Sequence, residues 1–295
     1  MTNLRIALFA ALCLLAAPPA EAHRHIALRS EPAYVSTTDL GAPVKAALAA
    51  RAAGHRVIAV FDIDNTLLTL PQDLGSDTWF NWQRTVNPDF GRVLGDNAML
   101  LELSEMRPTQ PDTAALIRSL QAGGVTVYAL SARSPGLRGA TEDALAQAGI
   151  DLSAAPECGP PLCARRGNLN AAQIIAAAGR LHVRLSAAPR TVTVSDGVMM
   201  VAGQDKGVML HLLLGSLKAR YDEVFFVDDT FQNITDVRAA APGIRARVHP
   251  YSYERFWPDA RAFMSDTARQ GKADADMSRL RTSVCAAVDA ATCGS

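Results

Sequence analysis

The chain lacks an excess of either charge: 29 Lys and Arg stand against 29 Asp and Glu. No broad basic field draws it onto nucleic acid or an anionic surface, which makes a small-molecule partner the default and nucleic acid an unexpected one. Its five cysteines contain no C-x-x-C pair, and His55, His182, His211 and His249 fall at no metal-ligand spacing, which excludes the common zinc arrangements. There is no internal repeat and no low-complexity tract. The apolar run Ile6 to Ala17 is too brief to span a bilayer stably, so no stable membrane anchor is expected. What is present is length and apolar content: 295 residues, 49% hydrophobic, can bury one substantial core and a small accessory unit.

The first 22 residues read as a secretory signal peptide: Arg5 near the start, the apolar run, then Ala20-Glu21-Ala22 as a small-x-small cleavage site. Cleavage after Ala22 is expected, with a periplasmic or secreted mature chain. Leu12 before Cys13 does not suit lipid attachment. Cys158, Cys163, Cys285 and Cys293 would then meet an oxidising compartment, and local pairing of 158 with 163 and 285 with 293 is the simplest of three connectivities.

Apolar runs that end in polar residues set the fold class. Val57 to Phe61 is continuously apolar, as a strand is when helices cover both faces of a parallel sheet, and it ends in Asp62. Val125 to Leu130 leads into Ser131-Ala132-Arg133, and Glu223 to Val227 leads into Asp228-Asp229. Helical stretches at Pro43 to Ala53, Pro111 to Ala122 and Lys206 to Arg220 precede these runs, a βαβ alternation that implies an α/β fold on a parallel sheet. Ile244 to Val248 and Thr191 to Ser195 are further candidate strands, and Asn170 to Ala178 a further helix. Residues 23–54 read as an N-terminal segment with a helix, 55–265 as the core, about 69–107 and 153–203 as insertions in it, and 266–295 as a polar, then Ala-rich, tail.

Asp62-Ile63-Asp64-Asn65-Thr66 carries the chemistry. A carboxylate at a strand end can attack phosphorus, and a second one two residues later can protonate the leaving oxygen and then activate water. The Asp62 carboxylate and the Asp64 backbone carbonyl can also face a hard cation, and magnesium there would offset repulsion between carboxylate and phosphate. Ser131 can donate a hydroxyl to a phosphoryl oxygen, and Lys206, at a helix start, can place positive charge on the same group. Asp228 and Asp229, with Asn233 one turn on, complete a metal site. Each has a plain structural alternative as turn residue, exposed cation or helix cap; their joint occurrence at strand ends and helix starts favours the functional reading.

The set Asp62-x-Asp64-x-Thr66, Ser131, Lys206 and Asp228-Asp229-x-x-x-Asn233 resembles the four motifs of the haloacid dehalogenase superfamily, in family order and over about residues 55 to 250. The resemblance implies a Rossmann-like three-layer α/β/α sandwich with the strand before Asp62 central and inserted cap or flap segments. It further implies Mg²⁺ as cofactor, Asp62 as nucleophile, Asp64 as general acid and base, Ser131 and Lys206 as phosphate-binding residues, Asp229 as a direct metal ligand, and Asp228 beside it through water. Thr66 and Ala132 are further expected substrate-binding residues, and Arg133, two residues past Ser131, either contacts substrate phosphate or is a solvated or structural arginine. Leu74-Gly75-Ser76-Asp77-x-Trp79-Phe80-x-Trp82-Gln83, Met106-Arg107-Pro108 and Gly203-x-Asp205-Lys206-Gly207 are similar to a secreted bacterial branch, DUF2608. Within the superfamily, an Asp at position 64 suits expulsion of an alkoxide, which needs a proton, over expulsion of halide. Phosphate monoester hydrolysis is therefore expected, with phosphotransfer to an alcohol, or a catalytically silent binding or effector protein, as alternatives. Trp79 and Trp82, in the first insertion, either stack on substrate or form that insertion's own core.

Overall fold

The computed structural model describes residues 31–155 and 167–287. The leader, Cys158, Cys163 and Cys293 lie outside them. Cys285 is disulfide-bonded, and the expected pairing of the four remains a proposal.

The chain runs β1 (Val35–Thr37), α1 (Gly41–Ala52), β2 (Val57–Phe61), β3 (Leu68–Thr69), α2 (Asp77–Val86), α3 (Phe90–Leu103), β4 (Arg107–Pro108), α4 (Thr113–Ala122), β5 (Thr126–Ser131) and α5 (Arg138–Gln147). It continues through β6 (Gly167–Leu169), α6 (Ala171–Leu181), β7 (Val192–Ser195), β8 (Val198–Met200), α7 (Lys206–Ser216), β9 (Glu223–Asp228), α8 (Phe231–Ala240), β10 (Arg247–Tyr253), α9 (Trp257–Ser265) and α10 (Thr267–Ala287). One sheet of eight strands has the order β1-β10-β9-β2-β5-β8-β7-β6. From β1 through β8 every neighbouring pair is parallel. Beyond β8, β7 and β6 pair antiparallel and extend the same sheet.

Both faces of β2 are covered, which is why its sequence does not alternate. Ile58 and Val60 pack with α6, α7 and α8, whereas Val57, Ala59 and Phe61 pack with α1, α4 and α5. All five are buried, and a fully buried aliphatic or aromatic side chain contributes about 1.5–3 kcal/mol. The result is the expected α/β/α sandwich with β2 at its centre.

Three elements differ from the sequence expectation. The β7–β8 hairpin turns on Asp196-Gly197, both at positive φ (46° and 75°), the conformation that an Asp-Gly pair favours between two strands. The last strand is Arg247 to Tyr253 rather than Ile244 to Val248. Pro250 argues against a central strand, but β1 pairs only with Tyr251 to Tyr253, so Pro250 lies past the end of that pairing. The described part of the tail is a helix: α10 lies on the first insertion.

That insertion, α2 and α3, is carried between the two short antiparallel strands β3 and β4. Trp79, Trp82 and Leu100 form a separate core with Phe263 of α9 and Ala273 and Met277 of α10. Trp82 meets Phe263 edge-on at 5.8 Å, and Gln83 donates to Asp274 at 2.7 Å. Trp79 is 1% exposed and Trp82 9%. Of the two roles open to these tryptophans, substrate stacking is corrected to packing: burying their large apolar area against α9 and α10 leaves no open ring face for a ligand. Among the described residues no helix is long and apolar enough to cross a membrane.

Candidate active site

The chain visits β2, then β5 and β8 on one side, then β9 on the other, so β2 stands where the winding reverses. In open α/β sheets the crevice beyond the carboxyl ends at this point is where ligands bind. Asp62 follows β2, Ser131 ends β5, Asp228 ends β9, and Lys206 opens α7.

The turn after β2 is built for this placement. Ile63 and Leu67 are fully buried, and the Ile63 carbonyl accepts from Thr66 N, Leu67 N and Leu68 N. Asn65 takes a left-handed conformation (φ 56°), which Asn tolerates better than most residues, and its side chain accepts from Thr69 Oγ1 at 2.9 Å. Thr66 Oγ1 is buried with no hydrogen-bond partner. Such an orphan costs about 1–3 kcal/mol until a ligand or water satisfies it.

Lys206 joins the two strand ends. Its Nζ, on a residue 1% exposed, lies 2.5 Å from Asp62 Oδ1 and 2.6 Å from Asp228 Oδ2. Asp205 caps α7 by accepting from Val208 N at 2.9 Å. At Gly207 any Cβ would collide with the Asp236 carbonyl of α8, so the glycine lets α7 approach α8 and carry Lys206 inward. Both Asp228 oxygens are engaged: its second oxygen accepts from Thr230 N and from Asn233 Nδ2, each at 2.9 Å. Asn233 therefore orients Asp228, which in turn holds Lys206.

Asp62, Asp228 and Asp229 each offer a carboxylate oxygen, all within 4.8 Å of one another and all buried. Three carboxylates and one ammonium leave uncompensated negative charge. Burial pushes the Asp62 carboxyl up to about 8, with Lys206 opposing and the charges of Asp228 and Asp64 adding. Burial likewise raises Asp229, helped by the charges of Asp77, Asp62 and Asp228. An all-oxygen, electron-rich donor set of this kind fits a hard divalent cation. Asp62 and Asp229 keep oxygens for it, while those of Asp228 are engaged. The indole of Trp257 donates to the Asp229 carbonyl at 2.8 Å and fixes that segment.

Of the two roles open to Arg133, the structure shows the structural one, a grip on Asp64. The guanidinium grips the Asp64 carboxylate with two bonds, Nε to Oδ2 at 2.9 Å and Nη2 to Oδ1 at 2.8 Å. Its remaining nitrogen donates to Thr141 Oγ1 at 2.9 Å, and Nη2 also meets the Met106 sulfur. With every nitrogen engaged, Arg133 acts on Asp64 in this arrangement, rather than standing free for the substrate phosphate. Arg133 N donates to Ser131 Oγ at 3.1 Å, and Ser131 is fully buried. Ala132 is exposed beside it, and its carbonyl accepts from Gly203 N at 2.8 Å.

Asp77, the first residue of α2, was not among the expected site residues. Its charge acts on Asp229 and Arg133, and its own carboxyl is raised to about 6 by burial and by Asp64, against the opposing Lys206. Asn81 holds it at 2.8 Å. Its place in Leu74-Gly75-Ser76-Asp77 was the available signal; nothing local tied that motif to a carboxylate facing the strand ends.

Asp77 supplies a pH-dependent test. A folded-state value of about 6 against an ordinary 3.8 means that the ionised form is penalised in the folded protein. The penalty is absent below about pH 4, grows to about pH 6 and is constant above it. An acidic first-turn residue gains about 0.3–1 kcal/mol from the helix dipole. That gain is smaller than the penalty on the ionised carboxylate, even after solvent screening of a partly exposed group. Asp77→Asn should therefore stabilise the metal-free protein at pH 7.5 by on the order of 1 kcal/mol, a few degrees in Tm. The gain should fade as melts are repeated toward pH 4; an equal gain at both ends would contradict the assignment.

A family model described as "Protein of unknown function (DUF2608)" matches residues 37–244. No curated protein matches. Among solved structures, the chain is similar to the class C acid phosphatase from Bacillus anthracis at 13% identity, over 80% of this chain and 84% of that one, with a TM-score of 0.37. It is also similar to a phosphoserine phosphatase solved as a phospho-aspartyl intermediate analogue, at 12% identity over 71% of this chain and 99% of that one, with a TM-score of 0.29. The family match takes in the site residues from Asp62 to Asn233, and the chain belongs to this family of unknown function, DUF2608.

Proposed function

We propose that the mature chain is an exported, Mg²⁺-dependent phosphatase that hydrolyses small phosphate monoesters through an aspartyl-phosphate on Asp62. The observation that carries this reading is Lys206 Nζ held between Asp62 and Asp228 beside a third buried carboxylate, Asp229, at the carboxyl edge of the sheet. The leader supports export.

In this reading the Asp62 carboxylate attacks phosphorus, and the ester oxygen leaves with a proton from Asp64. Lys206 and Ser131 bear on the phosphoryl oxygens as charge moves onto them, and the unpartnered Thr66 hydroxyl is available to a ligand. A divalent cation held by Asp62 and Asp229, with the Asp64 carbonyl, would supply charge neutralisation between the approaching anions. Asp64 then takes a proton from the water that opens the aspartyl-phosphate and releases orthophosphate. Arg133 positions Asp64 throughout.

A panel of phosphate monoesters assayed for phosphate release with Mg²⁺ tests the reading. Release by the wild type should disappear in Asp62→Asn, and undiminished turnover in that variant would sink the proposal. Arg133→Lys separates positioning from substrate binding, because a lysine keeps the charge and loses the fork. It should lower kcat by roughly 10–100-fold with little change in KM, since small misplacement of a reacting group costs that much. A raised KM at unchanged kcat would return Arg133 to the substrate phosphate.

A further inference from the structure

A cavity opens at the edge of the sheet opposite the candidate active site. It has a volume of about 610 Å³ and is formed where Arg56 leads into β2, Asp222 into β9 and Arg245 into β10, with the C-terminal ends of α6 and α7 as its wall. Five residues of β2 separate this edge from Asp62, roughly 17 Å of extended chain. The cavity is therefore distinct from the candidate active site and independent of the reading given to that site.

Its charge is one-sided. Arg56, Arg180, Lys218, Arg220 and Arg245 line it, and Asp222 is the single carboxylate that does. Asp222 is already engaged, accepting from Arg56 N at 2.8 Å, with the Arg56 side chain 3.9 Å away. The nearby Glu223 is taken up by Arg247 at 3.2 Å and His249 at 2.5 Å, neither of which lines the cavity. Among the described residues Arg180, Lys218, Arg220 and Arg245 have no ion-pair partner. Cations near helix C-termini complement the dipole, but two helix ends account for about one unit of charge. Several positive charges remain in one concavity of a chain whose charges balance as a whole.

The lining is also partly apolar. Leu181, Leu214 and Ile244 contribute to it, and the Tyr221 ring is largely buried there. In the wall between α6 and α7, Gly215 leaves room for the Leu181 side chain, whose tip a Cβ there would meet. A volume of this size lies within the range of about 300–1,000 Å³ typical of small-ligand sites. Unpaired guanidinium groups at the rim suit phosphate oxygens, to which Arg bonds in a fork.

We propose that this cavity binds a small polyanion with an apolar or planar part, the chemical class of nucleoside polyphosphates. The probes are a non-hydrolysable methylene analogue of a nucleoside triphosphate and inorganic tripolyphosphate, titrated calorimetrically into the full-length protein at low salt. Both should bind, the analogue more tightly because it also covers apolar lining. Arg220→Glu/Arg245→Glu should weaken both by about tenfold or more, with phosphate release from a monoester and the thermal melt unchanged. Leu214→Trp, which fills the space without altering charge, should weaken the analogue more than tripolyphosphate. Equal affinity in the wild type and the double variant, or no binding of either probe, would overturn the proposal. So would capture by phosphatidylglycerol vesicles without binding of either free anion, which would mark a surface for lipid headgroups instead.

Discussion

A lysine buried to 1% exposure between two carboxylates is the constraint on which the site depends. Desolvating an ammonium costs several kcal/mol, recovered only if both partners are held at contact distance. Three separate elements must therefore end at one point: β2 at Asp62, β9 at Asp228, and α7 beginning at Lys206. Gly207 against α8, the Asp205 cap and the Asn233 amide on Asp228 each serve that convergence. Removing one charge would strand the others in a low-dielectric pocket, and the sheet core beneath fixes the ends that carry them. The same arrangement leaves a surplus of negative charge, because Asp229 has no cation of its own among the described side chains. That surplus makes the site receptive to a hard metal ion.

Much of this is legible in the sequence because buried parallel strands have a distinctive form. Val57 to Phe61 and Val224 to Val227 are apolar on both faces and end in acids, so strand, position of the site and chemistry are read from one feature. Asp62, Asp228, Asp229 and Lys206 converge as their spacing implies. Partners across long separations are less visible. Arg133 is 69 positions from Asp64, and no local pattern distinguishes a guanidinium that grips a neighbouring carboxylate from one that waits for phosphate. Trp79 and Trp82 carried two readings, and the choice depended on α10, whose polar composition hides the few residues, Ala273 and Met277, that it buries. The Asp196-Gly197 turn carried a readable hairpin signal, and its strands proved to belong to the main sheet.

The tail and the first insertion act as one unit. α10 packs on α2 and α3 through the second aromatic core and through Arg269 with Asp73 and Arg281 with Asp96. The first residue of α2 is Asp77, whose charge reaches Asp229 and Arg133. A segment far along the chain thus sets where the insertion presents a carboxylate to the strand ends. Under the proposed reaction, substrate choice would follow from that placement, with the phosphoryl-binding groups drawn from the sheet and those farther out from the insertion.

Phosphorylation of Asp62 is the step on which the proposed reaction rests. It is tested most directly by quenching the enzyme in acid during turnover of a phosphate monoester with Mg²⁺, reducing with borohydride, and sequencing the peptides by mass spectrometry. A phosphoaspartate reduces to homoserine, so homoserine is expected at position 62 and at none of positions 64, 228 or 229. Homoserine at one of those positions instead, or turnover with no reduced residue at all, would contradict it.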